Sequence, residues 1–253
     1  MNILRAHAPT WQTSPAAATL ALSLAALGAL SLGSGDFAFQ WQPVPPAVPA
    51  RATLAMVIGA LEVLAGALFA VARLRAVGAW LAAALLVGWT ALHVPAVVQR
   101  PASIGDWLGI AETTAMASAA LMLAAGESGG TRVRAIRRGG MLAFGLSAII
   151  FGVSHLAYAD FTASMIPAWL PQRVGLAYFT GAAHALAGLA IASGIQRRLA
   201  AMLETVMMAS FVGLVHIPRV AAQPGSRMEW TMLFVALLLS GSAGLVARIA
   251  RER

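Results

Sequence analysis

Long apolar runs separated by short polar segments dominate the chain. Each run is close to the ~20 residues that an α-helix needs to cross the hydrocarbon core of a bilayer. The pattern predicts an all-α, polytopic membrane protein with eight transmembrane helices. The predicted spans are residues 16–33, 52–72, 76–95, 107–125, 140–159, 174–194, 198–217 and 229–247.

An internal duplication organises these runs. The frame Gly59–Gly66 recurs as Gly181–Gly188, and His93-Val94-Pro95 recurs as His216-Ile217-Pro218. Matched positions keep one offset of 122 to 124 residues, in loops as well as in spans. Because four helices per copy is an even number, both copies enter the membrane from the same side. We therefore predict two parallel four-helix repeats.

Arginine placement predicts the orientation and the domain boundaries. We expect a cytoplasmic N-terminal segment at 1–15, a first repeat at 16–126, a basic cytoplasmic linker at 127–138 and a second repeat at 139–253. The positive-inside rule then favours a multi-pass protein of a bacterial inner membrane with both termini cytoplasmic. Five arginines fall on the predicted outer side, and twelve fall on the predicted inner side: Arg5, Arg73, Arg75, Arg132, Arg134, Arg137, Arg138, Arg197, Arg198, Arg248, Arg251 and Arg253.

Composition agrees with a membrane protein and narrows its chemistry. The chain is 60% hydrophobic and 10% charged, with a mean hydropathy of +0.80, whereas soluble domains carry about a quarter charged residues. It has no cysteine, which excludes disulfide and thiol redox chemistry of its own. The net charge of +8 comes from arginines near the predicted helix ends, so the expected partner is the lipid bilayer and not nucleic acid.

Ionisable side chains inside the spans are the candidate functional residues, because burying them in a bilayer is unfavourable. Glu62 and His184 occupy the same position in the two repeats, with different chemistry. If the two meet across the repeat axis, they can share a proton as a catalytic acid–base pair. The alternative is a buried hydrogen-bonded pair that fixes the packing of the two halves.

Four more residues are predicted to line a pocket between the repeats: His93, His155, His216 and Glu112. If a metal is present, His93, His155 and His216 are its expected ligands, since imidazole is the commonest protein ligand for metals. Alternatively, His93 and His216 cap a bend before the proline that follows each of them. Glu204 has only apolar counterparts in the first repeat and is expected either to be functional or to pair with Arg197 or Arg198.

Two proline- and aromatic-rich segments, 36–51 and 160–173, should form short ordered loops or re-entrant segments on the outer side. Their tryptophans are expected to form an aromatic belt at the interface, or alternatively a lid over a site. The sequence has no phosphate-binding glycine loop, zinc-protease helix or nucleophile elbow, so hydrolase and nucleotide chemistry are not expected.

The motif Met165-Ile166-Pro167-Ala168-Trp169-Leu170-Pro171, together with Gly181-x-x-His184-x-x-x-Gly188, Val215-His216-Ile217-Pro218 and Glu229-Trp230, resembles the DoxX family of integral membrane proteins. The usual unit of that family has four helices, so the chain looks like two fused units. The resemblance implies a membrane subunit linked to quinone oxidoreduction. The lack of cysteine puts a sulfur relay within the chain in doubt.

These features together predict a quinone-linked redox subunit with a proton-handling pocket between the repeats. Quinone is the expected cofactor, with haem or a metal ion as alternatives, and a soluble redox protein is the expected partner. Two other functions fit the same sequence. One is a small-molecule transporter with a midplane site, and the other is a non-catalytic scaffold for a soluble redox partner.

Overall fold

A computed structural model describes residues 13–126 and 130–250, and every regular element within these ranges is helical. Most of the predicted 1–15 segment, residues 127–129 of the predicted linker, and Arg5, Arg251 and Arg253 of the orientation pattern lie outside the described residues. The α-helices are α1 (Pro15–Ser34), α2 (Arg51–Ala70), α3 (Arg75–Gln99), α4 (Ile104–Ala125), α5 (Thr131–Ala157), α6 (Ala159–Met165), α7 (Arg173–Ser193), α8 (Arg197–Phe211), α9 (Ile217–Ala222) and α10 (Arg227–Ile249).

Eight helical segments are long and apolar enough to cross a membrane, which confirms the predicted fold class. One of them is discontinuous: α8 and α9 are joined by a π-helical turn, Val212–His216, to form the segment Arg197–Ala222. Pro218 follows this turn and cannot donate a backbone N–H to it, whereas the equivalent Pro95 of the first repeat lies inside the continuous helix α3. Because the number of candidate spans is even, the start of α1 and the end of α10 lie on the same side.

The two membrane sides differ in the described residues. One side carries the long loops between α1 and α2 and between α5 and α7, and we call it the long-loop side. The first loop contains a 3-10 helix, Phe39–Trp41, and the second contains α6. The other side, called the arginine-rich side, carries the start of α5. Residues 131–138 of the predicted linker are the first two turns of that helix rather than a connecting segment.

The two halves pack their helices in the same pairwise order. In the first half α1 packs on α2, α2 on α3 and α3 on α4, and in the second α5 packs on α7, α7 on α8 and α8 on α10. The halves join through α4 with α5, α1 with α10, and α4 with α10. The core is centred on α4 and α10, where Met116, Leu123, Leu238 and Leu245 are fully buried.

Local details repeat as well. Trp107 donates its indole N–H to the carbonyl of Pro101 at 2.9 Å, and Trp230 donates to the carbonyl of Pro224 at the same distance. Each tryptophan thus fixes the loop before its own helix. The matched geometry agrees with two parallel repeats.

The glycine frames bring neighbouring helices into backbone contact. A Cβ atom added to Gly59 would lie 2.7 Å from the carbonyl oxygen of Gly28, and one added to Gly152 would lie 2.6 Å from that of Gly181. No side chain fits at these crossings, so α1 packs closely on α2 and α5 on α7.

Candidate functional site

A cavity of about 820 Å³ lies between the two halves. Five of the six predicted site residues line it: His93, Glu112, His155, His184 and His216. They come from α3, α4, α5, α7 and the π-helical turn, so both repeats contribute to the wall. The remaining wall is mainly aromatic and aliphatic, which is typical of a site for an apolar small molecule.

The cavity runs from the long-loop side toward the middle of the membrane. At its outer end it reaches the exposed side chains of Arg100 and Phe161. At its inner end it is bounded by His184 near the middle of α7 and by Met208, both of which are buried. A molecule can therefore enter from the long-loop side and reach a buried imidazole.

His184 and Glu204 form a buried hydrogen-bonded dyad. Nδ1 of His184 lies 2.7 Å from Oε1 of Glu204, and the two side chains are 3% and 0% exposed. The rings of Phe151 and Phe211 pack around the imidazole, with centroids 5.8 and 5.9 Å away. Glu204 orients the imidazole ring of His184 and can share the proton of their hydrogen bond. Nε2 of His184 is then left to act on a ligand. The partner of Glu204 is thus His184, whereas the sequence suggested Arg197 or Arg198 as a partner.

His155 lies next to this dyad and is held by a second hydrogen bond. Its ring centroid is 4.9 Å from that of His184, in an edge-to-face arrangement. Nδ1 of His155 lies 3.0 Å from the hydroxyl oxygen of Thr180, and that hydroxyl donates to the carbonyl of Leu176. The Thr180 hydroxyl is also within hydrogen-bond distance of the carbonyl oxygen of Ala177, so this side chain ties the His155 ring to the backbone of α7.

His93 lines the opposite wall, against α4. A Cβ atom on Gly109 would come within 2.7 Å of Nδ1 of His93, so this imidazole fits only because residue 109 is glycine. Within the part of the chain that the structure describes, Nε2 of His93 and Nδ1 of His216 are buried without a hydrogen-bond partner.

The 3-10 helix of the first loop supplies Trp41 to the same wall. Its indole N–H donates to Oε2 of Glu112 at 2.7 Å. The sequence predicted Trp41 as an interfacial aromatic residue, or alternatively as part of a lid over a site. Its role as the partner of Glu112 depends on how the loop folds back over α4.

Asp36 ties this loop to α10. It pairs with Arg51 and, at 3.4 Å, with Arg227, whose guanidinium also lies 4.4 Å from the centroid of the Phe39 ring. Burial acts to raise the pKa of Asp36, but the N–H of Phe37 and the two guanidinium groups outweigh it. The pKa of Asp36 is therefore below its ordinary value. The loop is held to the helices by charge and not by apolar packing alone.

Glu62 lies outside the cavity, and the contact with His184 that the sequence suggested is not formed. Its Oε1 accepts from Nε2 of Gln42 at 2.7 Å, and its side chain is fully buried. Within the described residues, Glu62 bonds Gln42 and His184 bonds Glu204. The reason is topological: α2 packs in the first half against α1 and α3, away from α7.

The predicted metal site does not fit the geometry. Among residues 13–126 and 130–250, no three His, Asp or Glu side chains are grouped so that they could hold a metal ion. His93, His155 and His216 thus do not converge as a ligand set. His155 also uses Nδ1 on Thr180, which leaves a single nitrogen for any other contact.

Comparison with protein-family models gives a match in the second half of the chain. A family model described as a domain of unknown function, DUF8561, matches residues 144–247, which is less than half of the chain. The matched region includes His155, His184, Glu204 and His216, and it excludes the first-half residues of the cavity wall. No curated protein matches the chain, and no solved structure matches it.

Proposed function

We propose that the cavity binds a quinone-class lipid-soluble redox carrier and that the protein is the membrane subunit of a quinone-linked system. The observation that carries this proposal is a largely apolar cavity with the buried His184–Glu204 dyad at its inner end. The apolar wall suits a quinone ring and tail. The dyad can exchange protons with the ring oxygens.

A quinone takes up two protons and two electrons to become a quinol, and the described residues account only for the proton part. The electrons pass to or from a soluble redox protein as the proposed partner. The resemblance of the second-half motifs to DoxX proteins supports this assignment and stays a prediction. We also propose a bacterial inner membrane location with both termini in the cytoplasm, on the basis of the arginine-rich side.

Binding of a short-chain ubiquinone analogue to the purified protein tests the proposal. We expect saturable quenching of tryptophan fluorescence, because Trp41 lies in the cavity wall. His184→Phe should weaken binding about tenfold, the equivalent of one or two lost hydrogen bonds. Glu204→Gln keeps an acceptor for His184 but cannot take a proton, so it should flatten the pH profile of binding.

Ser31→Ala is the matched control for these variants. Ser31 corresponds to His155 in the other repeat and lies outside the cavity, so the affinity should be unchanged. Quenching that never saturates, or that is the same in His184→Phe, would contradict the proposed function.

A transporter is the second candidate, and one observation favours it. The span Arg197–Ala222 is interrupted by the π-helical turn beside the cavity, and transporters often build midplane sites from interrupted helices. Uptake of a solute into proteoliposomes, without saturable quinone binding, would favour this function over the first.

A further inference from the structure

A groove of about 350 Å³ lies between α3, α4 and α5, and we call it the α3–α5 groove. It is lined by Val87 and Thr90 of α3, by α4 residues between 114 and 121, and by α5 residues between 136 and 143. The hydroxyls of Thr90 and Ser118 donate to carbonyls of their own helices, and Val87 and Gly139 are exposed. The groove therefore presents an open, apolar surface to the bilayer, and it shares no described residue with the cavity wall.

The matching place in the second repeat is closed. Ser118 and Leu121 of the groove correspond to Gly241 and Gly244 at the offset of the duplication. A Cβ atom on Gly241 would lie 3.0 Å from the carbonyl oxygen of Ala16, and one on Gly244 would lie 3.0 Å from the Cβ of Ala16. Glycine therefore lets α1 pack directly on α10, whereas side chains line an open groove beside α5. The groove thus comes from a difference between the repeats and not from the repeat fold itself.

An exposed arginine lies on the same helix face as the groove. One row along α5 contains Arg132, Ile136, Gly139 and Ala143. Their spacing of four, three and four residues keeps them on one face of the helix. Arg132 is exposed, and the described helix ends on the arginine-rich side carry no Asp or Glu. The row therefore begins with a positive charge that no acidic side chain of these helix ends neutralises.

The length of this row matches one leaflet of a bilayer. Ala143 follows Arg132 by eleven positions, which is about 16 Å along a helix axis. The hydrocarbon core of a bilayer is ~30 Å thick, so one leaflet contributes about 15 Å. Thr90, near the middle of the 25-residue helix α3, also lines the groove. The row thus extends from headgroup level on the arginine-rich side to the middle of the membrane.

We propose that the α3–α5 groove binds one anionic phospholipid from the leaflet on the arginine-rich side, with an acyl chain in the groove and the phosphate at Arg132. Basic pockets between transmembrane helices recognise anionic headgroups. A zwitterionic lipid could fill the groove equally well, but it has no net charge for the arginine to attract. The bound chain would also cover the junction of α4 with α5, which joins the two halves.

Native mass spectrometry of the delipidated full chain tests this proposal. The protein is titrated with phosphatidylglycerol and with phosphatidylcholine of the same acyl chains. We expect one phosphatidylglycerol to bind about fivefold more tightly than phosphatidylcholine, which is the contribution of one arginine near a membrane surface.

Two variants separate the charge from the groove. Arg132→Gln should remove the preference for phosphatidylglycerol and leave the binding of phosphatidylcholine unchanged. Gly139→Leu should weaken the binding of both lipids, because it fills the groove at a position where an added Cβ meets no described atom within 4 Å. Arg198→Gln is the matched control, since Arg198 is exposed at the start of α8 on the same side and does not line the groove.

Three results would overturn the proposal. The first is equal affinity of the unaltered protein for the two lipids. The second is an equal loss of preference in Arg132→Gln and Arg198→Gln, which would show a general effect of surface charge. The third is a dimer of the delipidated protein that Gly139→Leu dissociates, since a second copy would then occupy the groove. Arg132 is exposed, so Arg132→Gln still decides the question if Gly139→Leu fails to fold.

Discussion

The position of His93 depends on a single missing methyl group. A Cβ atom at residue 109 would overlap the imidazole, and the equivalent position in the second repeat is Met232, which also lines the cavity. The wall is thus shaped differently on its two symmetry-related sides. Glycine on one side admits a ring, and methionine on the other fills the space.

Gly109→Ala should therefore displace the His93 ring. We expect a loss of stability of about 1–3 kcal/mol, which is typical of an added carbon in a packed site. Thermal unfolding in detergent measures it, and Gly88→Ala is the control because a Cβ there meets no atom within 4 Å among the described residues. Equal unfolding temperatures for the two variants would show that the ring moves freely.

For single residues, the sequence identifies the candidate site residues but not their hydrogen-bond partners. Five of the six predicted residues reach one cavity, because ionisable groups in spans turn inward. The partner of His184 was missed, since only the rotation of α8 decides that Glu204 faces it. Glu62 has the same repeat position as His184, yet its neighbour Gln42 comes from a loop whose path no periodicity predicts.

Among the elements, the paired helices α1 with α2 and α5 with α7 depend on glycine in the same way. At each crossing a backbone carbonyl occupies the place of a side chain. Such contacts rely on close packing rather than on the hydrophobic effect, because lipid tails are as apolar as the side chains.

Gly152→Val should therefore separate α5 from α7. A branched side chain would meet the Gly181 carbonyl and Ala185, and we expect a loss of at least 1–3 kcal/mol. Gly139→Val is the control on the same helix, since its Cβ position is open in the described structure. Unfolding by sodium dodecyl sulfate compares the two, and equal stability would contradict a close crossing.

Hydropathy predicted all eight spans, because length and apolar content are properties of single segments. It did not predict the short α6 or the helical start of α5. The arginines of residues 132–138 suggested a linker, but arginine is a good helix former and continues α5 into the polar interface.

For the whole molecule, the halves are joined through more than one contact region. The helix α1 packs on α10 and α5 packs on α4, so the first helix of each half is covered by the last helix of the other. Neither half buries all of its own helix faces. The sequence predicted the two repeats, but not that they complete each other.

Separate expression tests this dependence. Residues 1–126 and 130–253, produced as two chains, should form a stable complex when coexpressed, and each alone should aggregate or be degraded. Size-exclusion chromatography in detergent with a tag on one chain measures the association. Two monodisperse, folded half-proteins would show that the repeats are independent units.

The contact between α1 and α10 also bears on how the chain could be rearranged. A Cβ on Gly244 would lie 3.0 Å from that of Ala16, so the beginning of the first span lies beside the last turns of the final one. The helices therefore form a ring in which α1 and α10 are neighbours but are not joined by the chain. A circular permutant that starts at Thr131 and links the end of α10 to the start of α1 should keep every helix contact. The cavity should then form whichever of the two repeats comes first in the chain.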